Sequence, residues 1–282
     1  MMETDLKKAI SSKTGDIDVI MLHSQKGGPG KTTLACNIAY ELARRGNKTV
    51  LIDLDIAQPT IHQIFQIPEE AIEYTINDIL LGKIQVMEET LIETDNPNLS
   101  LILAESRVDY GEGLLSLMKS IQDHAFFILH EMVKSLQKFG YQYVIFDCAP
   151  GYRSESVHAA TVADARIFVL RPSTFSFEGA KQMLLDIYKK MDIASMNFFV
   201  FNQVPPELSE ENRELLDQWV EELIEEYEPY YIEFLDVLPI SFEIMELSMR
   251  GKYIFPQKTE LYKKMCYILE TVIAKIHDDK EK

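Results

Sequence analysis

The residues of this sequence with the most definite chemistry lie at 26–33 and read KGGPGKTT. Glycines have no Cβ atom, so backbone N–H groups in such a run can point at an anion, as binding a phosphate chain requires. Lys31 adds a cation for β- and γ-phosphates, and Thr32 adds a hydroxyl that can bind Mg²⁺. A glycine-rich turn without a ligand is the alternative, but the string occurs by chance in on the order of one chain in 10⁴. The predicted nucleotide-binding residues are Lys26, Gly27, Gly28, Pro29, Gly30, Lys31, Thr32 and Thr33.

The start of this run departs from the usual phosphate loop. The usual pattern has glycine at the position that Gln25 holds here. A second lysine, Lys26, follows it. The loop therefore carries one more cation than the common pattern supplies.

Short apolar runs that alternate with helical patterns must position the loop. The runs lie at 17–24, 50–55, 99–104, 143–147, 166–170 and 197–202. Amphipathic helical patterns lie at about 113–138, 177–190 and 257–276. The alternation predicts an α/β fold with three layers, in which helices cover both faces of a mostly parallel sheet. No repeat or linker interrupts the chain, so we expect a single domain over 1–282, with an N-terminal extension at 1–15 and a polar tail at 277–282.

Three aspartates stand where predicted strands end. Asp53 and Asp55 close the run VLIDLD, and Asp147 closes YVIFD. Ligands of open α/β sheets bind at the carboxyl ends of the strands, and a carboxylate there can hold Mg²⁺ directly or through water. A turn or a helix cap explains one such aspartate taken alone. Three of them behind a phosphate loop indicate a functional site.

The composition limits the class of protein. Hydrophobic residues make up 46% of the chain, enough for a large core. The sequence has no apolar stretch near the ~18 residues of a membrane span, and its first residues lack the apolar segment of a secretory signal. Cys36, Cys148 and Cys266 form no metal-spaced pair. We expect a cytoplasmic protein with reduced thiols.

The charge bears on partners. The 45 acidic residues against 28 Lys and Arg give a net charge of −17, which argues against coating of non-specific DNA. Residues 207–228 hold ten of the acidic residues and one basic residue, Arg213. This segment predicts a helix with an apolar stripe packed on the sheet and solvated carboxylates. A docking face for a basic activator segment is the alternative.

Taken together, KGGPGKTT, VLIDLDIAQPT and YVIFDCAPG resemble the motifs of the deviant Walker A P-loop ATPases that include the MinD and ParA proteins. The segments at 75–106, 198–204 and 237–255 are similar to further parts of that family, so the resemblance covers most of the chain. It implies a P-loop NTPase fold of the deviant Walker A type. No N-K-x-D guanine motif follows the sixth predicted strand, which favours ATP.

The resemblance also implies roles for single residues. Asp55 would orient the attacking water, and Asp147 would be the Walker B residue that binds Mg²⁺ with Asp53 and Thr32. Asn202 would contact adenine. Pro239 matches the proline of a motif near the nucleotide.

The implied activity is slow hydrolysis of ATP by a switch that dimerises with ATP. Lys26, Lys31 and Asp55 would be catalytic, and Lys26 would reach across the dimer to the partner's nucleotide. The implied output is positioning, partitioning or regulation of a cargo or an assembly, through a protein activator or cargo adaptor.

Two other functions stay open at this point. One is an ATP-dependent carrier of metal or iron–sulfur clusters. Cys148 follows Asp147 directly but has no C-x-x-C companion, so a small buried residue is the favoured interpretation. The other is a nucleotide-binding scaffold with negligible turnover. The C-terminal pattern suits packing on the body of the protein and does not indicate a membrane anchor.

Overall fold

Buried strands separated by helices account for most of the chain. In the computed structural model, the described residues are 17–84, 87–105, 112–189, 196–228 and 230–281, without the side chains of 112–124 and 187. The predicted N-terminal extension at 1–15 lies outside them. The strands are β1 Asp18–His23, β2 Thr49–Leu54, β3 Ile92–Glu93, β4 Leu99–Ile102, β5 Tyr143–Cys148, β6 Ala165–Leu170, β7 Met196–Val204 and β8 Ile232–Pro239.

The helices connect successive strands. They are α1 Lys31–Arg44, α2 Ile61–Ile64, α3 Ile76–Leu80, α4 Glu112–Lys138, α5 Ser154–Val162, α6 Thr174–Met183, α7 Glu210–Tyr227, α8 Phe242–Ser248 and α9 Glu260–Lys280. A π-helical turn, Leu184–Lys189, extends α6. In the described part of the chain, no helix combines the length and the apolar character needed to cross a bilayer.

The sheet has the order β3-β4-β2-β5-β1-β6-β7-β8. Every pairing is parallel except that of β3 with β4. All residues of β1, β2, β5 and β6 are buried, because a parallel strand covered on both faces needs apolar residues at each position. The eight strands and their helices confirm the predicted fold class.

The core is divided by the sheet into two apolar clusters. One cluster holds the inner faces of α4, α5, α6 and α7, and the other holds those of α1 and α9. This arrangement is the predicted three-layer structure. Because parallel strands share a direction, their carboxyl ends, and the loops that follow them, lie at one edge.

Two strands were missed at the sequence level. β3 has only two residues, and β8 contains Glu233 and Asp236, which interrupt the apolar pattern. β8 lies at the edge of the sheet, where one side of a strand faces solvent, so polar residues are tolerated. At the C-terminus α9 continues to Lys280, whose Nζ donates to the backbone oxygen of Ile17 at 2.7 Å.

Candidate nucleotide site

The predicted phosphate loop joins the buried strand β1 to α1. Gly28 and Gly30 have φ values of +90° and +86°, a left-handed conformation that glycine adopts without strain. Gly30 is the N-cap of α1 and supplies no side-chain hydrogen bond. The N–H groups of the first turn of α1 are therefore available to an anion, and the positive end of the helix points at it.

The end of β7 supports this loop from the side. The Asn202 amide donates a 2.6 Å hydrogen bond to the backbone oxygen of Pro29. Gln203, which has a φ of +61°, donates to the backbone oxygen of Gly28 at 3.0 Å. A Cβ at Gly30 would lie 2.6 Å from the Asn202 amide nitrogen, so any other residue at position 30 would force the Asn202 side chain to shift. Asn202, which the resemblance assigns to adenine, here holds the loop.

Lys31 lies inside the protein, under the loop. It is 5% exposed, and its Nζ forms an ion pair with Asp147. Burial by itself would lower the pKa of Lys31, but the Asp147 carboxylate outweighs burial and the pKa is raised. Lys31 is therefore held as a cation at the point where the loop and the end of β5 meet.

Two carboxylates share this buried lysine. Asp53 on β2 is the register partner of Asp147 on β5, and both are 1% exposed. Burial, together with the negative charge of Asp147, raises the pKa of Asp53 to about 8. When both acids are ionised, this place holds two negative charges and only one positive charge, so a bound cation would balance the excess.

The donor set fits Mg²⁺. Asp147 Oδ2 is buried and has no hydrogen-bond partner among the described residues, so an acceptor atom is left for a ligand. The Thr32 hydroxyl lies 3.4 Å from Lys31 Nζ, close to the same place. Mg²⁺ prefers oxygen donors and is commonly held by one or two carboxylates together with substrate phosphates. Thr32, Asp53 and Asp147 supply such oxygens.

Asp55 occupies the rim of this site. Its side chain is half-buried, and its Oδ1 accepts a 3.1 Å hydrogen bond from the backbone of Gln58. Its own backbone N–H donates to Asp53 Oδ1 at 2.9 Å. Burial raises the pKa of Asp55, the Lys31 charge opposes that shift, and Asp147 adds to it. Asp55 is thus connected to the buried carboxylates and also reaches the open side of the loop.

Lys26 has the opposite environment from Lys31. Its side chain is exposed, and its Nζ lies 5.4 Å from the centroid of the Phe175 ring, which is 81% exposed. The backbone oxygen of Lys26 accepts a hydrogen bond from Ser24 Oγ at 2.9 Å. The loop backbone is therefore fixed while the ammonium group stays at the surface.

Helix α6 touches both residues at which the loop departs from the common pattern. Phe175 lies under Lys26, and Gly179 lies against Gln25, so that a Cβ at Gly179 would be 2.6 Å from the Gln25 side chain. On its other side α6 packs on the acidic helix α7. The rings of Phe177 and Trp219 stack with centroids 5.0 Å apart.

The acidic helix α7 largely follows its predicted pattern. It buries Leu216, Trp219, Leu223 and Tyr227. Leu215 and Ile224, which helical spacing also assigns to the predicted apolar stripe, stay exposed, at 38% and 37%. Lys181 of α6 pairs with Glu222 and with Glu226, so part of the acidic face is neutralised within the chain.

His23 is a site residue that the sequence did not reveal. It ends β1 directly before the loop and is buried. Its Nδ1 lies 2.7 Å from the Tyr188 hydroxyl, and its Nε2 lies 3.0 Å from the backbone oxygen of Gly151. Burial and the charge of Lys31 lower the pKa of His23 to about 4, so the ring is neutral at pH 7. It connects the loop after β1 with the loop after β5.

Asn37 on α1 and the predicted nucleotide-binding residue Pro239 both have structural surroundings. Asn37 donates to the backbone oxygens of Thr33 and Tyr253, at 2.7 and 2.9 Å, and accepts from the Phe255 backbone. Pro239 ends β8 and lines a groove of 520 Å³ next to α7. Asn202 thus contacts the loop while Pro239 faces this groove.

The thiols give no sign of a cluster site. Cys148 is buried, and burial raises its pKa, as expected for a small core residue. Among the described residues, no group of three His, Cys, Asp or Glu side chains has a metal-binding arrangement.

Comparisons with known proteins agree with this geometry. A family model described as an AAA domain, AAA_31, matches residues 17–198. The septum site-determining protein MinD of Nephroselmis olivacea is 26% identical over 242 residues, which cover 86% of this chain and 81% of that protein. The chromosome partitioning protein ParA of Caulobacter vibrioides is 31% identical over 170 residues, 60% of this chain and 61% of that protein.

A solved structure extends the likeness to the fold. The septum site-determining protein MinD from Pyrococcus horikoshii, complexed with Mg-ADP, has a TM-score of 0.67 to this chain. The two are 20% identical, and the superposition covers 91% of this chain and 96% of the other.

Proposed function

Because this chain belongs to the AAA_31 family of AAA domains and is a MinD/ParA-type P-loop ATPase, we propose that it is an ATP-hydrolysing switch of the deviant Walker A kind. One observation carries the proposal. A buried lysine and two buried carboxylates converge beneath a glycine loop, where Lys31, Asp53 and Asp147 meet. Beneath this loop, Asp147 Oδ2 is a buried acceptor atom that has no hydrogen-bond partner among the described residues.

In this proposal the loop binds the phosphates of ATP. The N–H groups of Gly28, Gly30 and the first turn of α1 face the oxygens, and Lys31 moves from Asp147 to the β- and γ-phosphates. Asp147 and Asp53 are then free to hold Mg²⁺ with the Thr32 hydroxyl. Bound there, Mg²⁺ would neutralise charge that develops on the phosphate oxygens.

Asp55 orients the water that attacks the γ-phosphate. Its carboxylate lies at the open rim, and its backbone N–H is bonded to Asp53. A change at Asp53 when the site fills is therefore passed to Asp55 through two residues of backbone. This connection would place the attacking water only when the nucleotide and the cation are both bound.

Lys26 acts across a dimer of two copies that close face to face over their nucleotides. Lys31 already serves the phosphates of its own subunit. Lys26 is exposed at the same edge, over the Phe175 ring. A second cation at this place can stabilise the transferred phosphoryl group of the partner, as a cation supplied in trans does in other P-loop enzymes.

The output of the switch is positioning or partitioning of a cellular cargo through a protein partner. Relatives named for septum-site determination and chromosome partitioning support this output. The net charge of −17 supports a protein partner over direct coating of DNA. The alternative of a metal or cluster carrier has less support, because Cys148 is buried with a raised pKa.

The proposal is tested by phosphate release and by ATP binding, measured on wild-type protein and on Asp55→Ala. We expect wild-type protein to release phosphate slowly in ATP and Mg²⁺. Asp55→Ala should bind ATP within a few-fold of wild type but turn over about 100-fold more slowly, because only the water-positioning group is lost. Full turnover by Asp55→Ala would move this role to another residue. Wild-type binding without any phosphate release would indicate a scaffold.

A further inference from the structure

A series of hydrogen bonds leads from the core of the protein to the backbone of Lys26, and His23 stands at its centre. His23 ends β1 and is 1% exposed. Burying a polar side chain costs free energy unless it is hydrogen-bonded, whereas an apolar residue could fill the same space without that cost. Packing alone therefore does not explain a histidine at this position.

Both ring nitrogens of His23 have a partner, and the partners fix the place of the ring proton. A carbonyl oxygen can only accept a hydrogen bond, so Nε2 carries the proton and donates it to the backbone oxygen of Gly151 at 3.0 Å. Because the ring is neutral at pH 7, Nδ1 has no proton and accepts from the Tyr188 hydroxyl at 2.7 Å. Tyr188 thus orients the donor of His23 toward Gly151.

Tyr188 has a fixed place in the core. It lies in the π-helical turn after α6 and is 1% exposed. Its ring meets the Phe168 ring edge-on with centroids 5.0 Å apart, and the Arg166 guanidinium lies 5.3 Å from its centroid. Single π-helical turns inside helices are frequent at functional sites. The hydroxyl that orients His23 is therefore held by packing on several sides.

Gly151 connects the loop after β5 with the entrance of the phosphate loop. Its backbone oxygen accepts from His23, and its N–H donates to the backbone oxygen of Ser24 at 2.9 Å. Its φ of +78° suits glycine, and a Cβ there would lie 3.4 Å from the backbone oxygen of Gln25. The loop that follows Asp147 is therefore bound to the segment that leads into the phosphate loop.

Ser24 continues this series to Lys26. It is 2% exposed, and its Oγ donates to the backbone oxygen of Lys26 at 2.9 Å. The Lys26 ammonium group is exposed, so the direction of its side chain depends on how firmly this backbone is held. A displacement of about 1 Å in a catalytic group can cost about 100-fold in rate.

We propose that His23 is a positioning residue for ATP hydrolysis, and that it acts through Gly151 and Ser24 on the backbone of Lys26. The inference rests on the proposed function, since it needs Lys26 to act in hydrolysis, and it adds a buried residue to that function. The bond from His23 to Gly151 keeps the loop after β5 against the entrance of the phosphate loop while ATP binds and phosphate leaves.

Two substitutions at position 23 separate the two hydrogen bonds of the ring. In His23→Gln the side-chain amide comes near the place of Nε2, so its nitrogen can still donate to Gly151. In His23→Asn the shorter side chain brings the amide near the place of Nδ1, where it can meet Tyr188 but cannot reach Gly151. The two variants bury the same polar group and differ by one methylene group, so each is the control for the other.

Phosphate release at saturating ATP and ATP affinity by calorimetry are measured on the full-length wild type and both variants in Mg²⁺. We expect His23→Asn to turn over about 10-fold more slowly than wild type, because the bond to Gly151 is lost. Its affinity for ATP should stay within about twofold, because Lys31 and the N–H groups of the phosphate loop are unchanged. His23→Gln should keep its turnover within about twofold of wild type.

Tyr188→Phe tests the same series without changing the His23 ring. It removes only the donor to Nδ1, and we expect turnover about threefold lower at unchanged ATP affinity. Tyr141→Phe is the matched control, because Tyr141 is also buried and its hydroxyl donates to Ser100 Oγ at 2.7 Å, at the start of β4. This control should match wild type in both measurements.

Nitrogen NMR of the histidine rings reports the place of the His23 proton without any nucleotide. We expect a protonated Nε2 and an unprotonated Nδ1, in a signal assigned by its absence from His23→Gln. A proton on Nδ1 would contradict the series of hydrogen bonds, whatever the activity of the protein.

Wild-type turnover in His23→Asn or in Tyr188→Phe would overturn the inference. So would equal losses of turnover in His23→Asn and His23→Gln, or a loss of ATP affinity in His23→Asn as large as its loss of turnover. A wild-type protein that binds no ATP, or that releases no phosphate, would overturn the proposed function and with it the role of His23 in turnover, even where NMR shows the predicted proton on Nε2.

Discussion

The two lysines of the phosphate loop lie five residues apart and have opposite surroundings. Lys31 is 5% exposed and paired with Asp147, whereas Lys26 is exposed over the Phe175 ring. Leaving a buried charge without a partner costs several kcal/mol, so Lys31 can leave Asp147 only for another anion such as the phosphates of ATP. An exposed lysine over an aromatic ring is held by only about 0.5–1 kcal/mol. Lys31 therefore stays paired with an anion beneath the loop, whereas the Lys26 ammonium group can turn toward another molecule.

Because of this difference, the two lysines can contact different molecules. Lys31 senses the nucleotide of its own subunit, because its place is under the loop. Lys26 can contact a second molecule, because its ammonium group lies at the surface. A switch that dimerises with ATP requires both kinds of contact.

The largest expected effect comes from substitution of the buried lysine, Lys31. Lys31→Ala should lower the affinity for ATP about 1000-fold, because charge-assisted hydrogen bonds to the phosphates are lost. Calorimetry with ATP and Mg²⁺ measures the affinity. Urea unfolding of Lys31→Ala shows separately how much the unpaired buried carboxylate of Asp147 destabilises the fold. Wild-type affinity in Lys31→Ala would show that the loop is not the phosphate site.

The charge of Lys31 should also appear in the acid stability of the protein. His23 has a pKa of about 4 in the folded protein, below the ordinary 6.5, through burial and the Lys31 charge. The unfolded chain therefore binds the proton first, and stability falls as the pH is lowered from about 6.5 to 4. The shift corresponds to about 3 kcal/mol.

This acid effect can be isolated by urea unfolding of wild type and His23→Gln at pH 7 and at pH 4.5. The variant should lose less stability than wild type over that interval, by most of this amount. The other histidines are common to both proteins and cancel in the comparison. An identical loss in both proteins would mean that His23 is not neutral in the fold.

A smaller effect is expected at the glycines between the two lysines. Gly30→Ala puts a side chain in the left-handed region and against Asn202, and should cost about 1–2 kcal/mol of unfolding free energy. Gly28→Ala is the matched control, since Gly28 has the same left-handed φ, at +90°, and its Cβ would meet no atom within 4 Å. Chemical denaturation of both variants measures the difference. Equal stability would mean that the Asn202 contact does not constrain the loop.

Much of the buried part of the site, around Lys31, could be predicted from the sequence. The phosphate loop has a recognisable string, and buried parallel strands read as continuous apolar runs, so Asp53 and Asp147 could be placed at strand ends. β8 was missed because an edge strand tolerates Glu233 and Asp236. His23 was missed because a neutral buried histidine has no motif.

The exposed surface around Lys26 could be predicted less well from the sequence. The contact of Phe175 with Lys26 joins residues far apart in sequence that no local pattern connects. The role of Asn202 as a support for the loop depends likewise on a hydrogen bond between distant segments.

The central claim is that Lys26 acts on the partner's nucleotide while Lys31 serves its own. The most direct test is light scattering of Asp55→Ala, with and without the added change Lys26→Ala, in ATP and Mg²⁺. Both proteins should bind ATP within a few-fold of each other, because the contacts within one subunit remain. Asp55→Ala should form an ATP-dependent dimer, and the double variant should stay monomeric at the same concentration. The same ATP-dependent dimer in both proteins would contradict the claim.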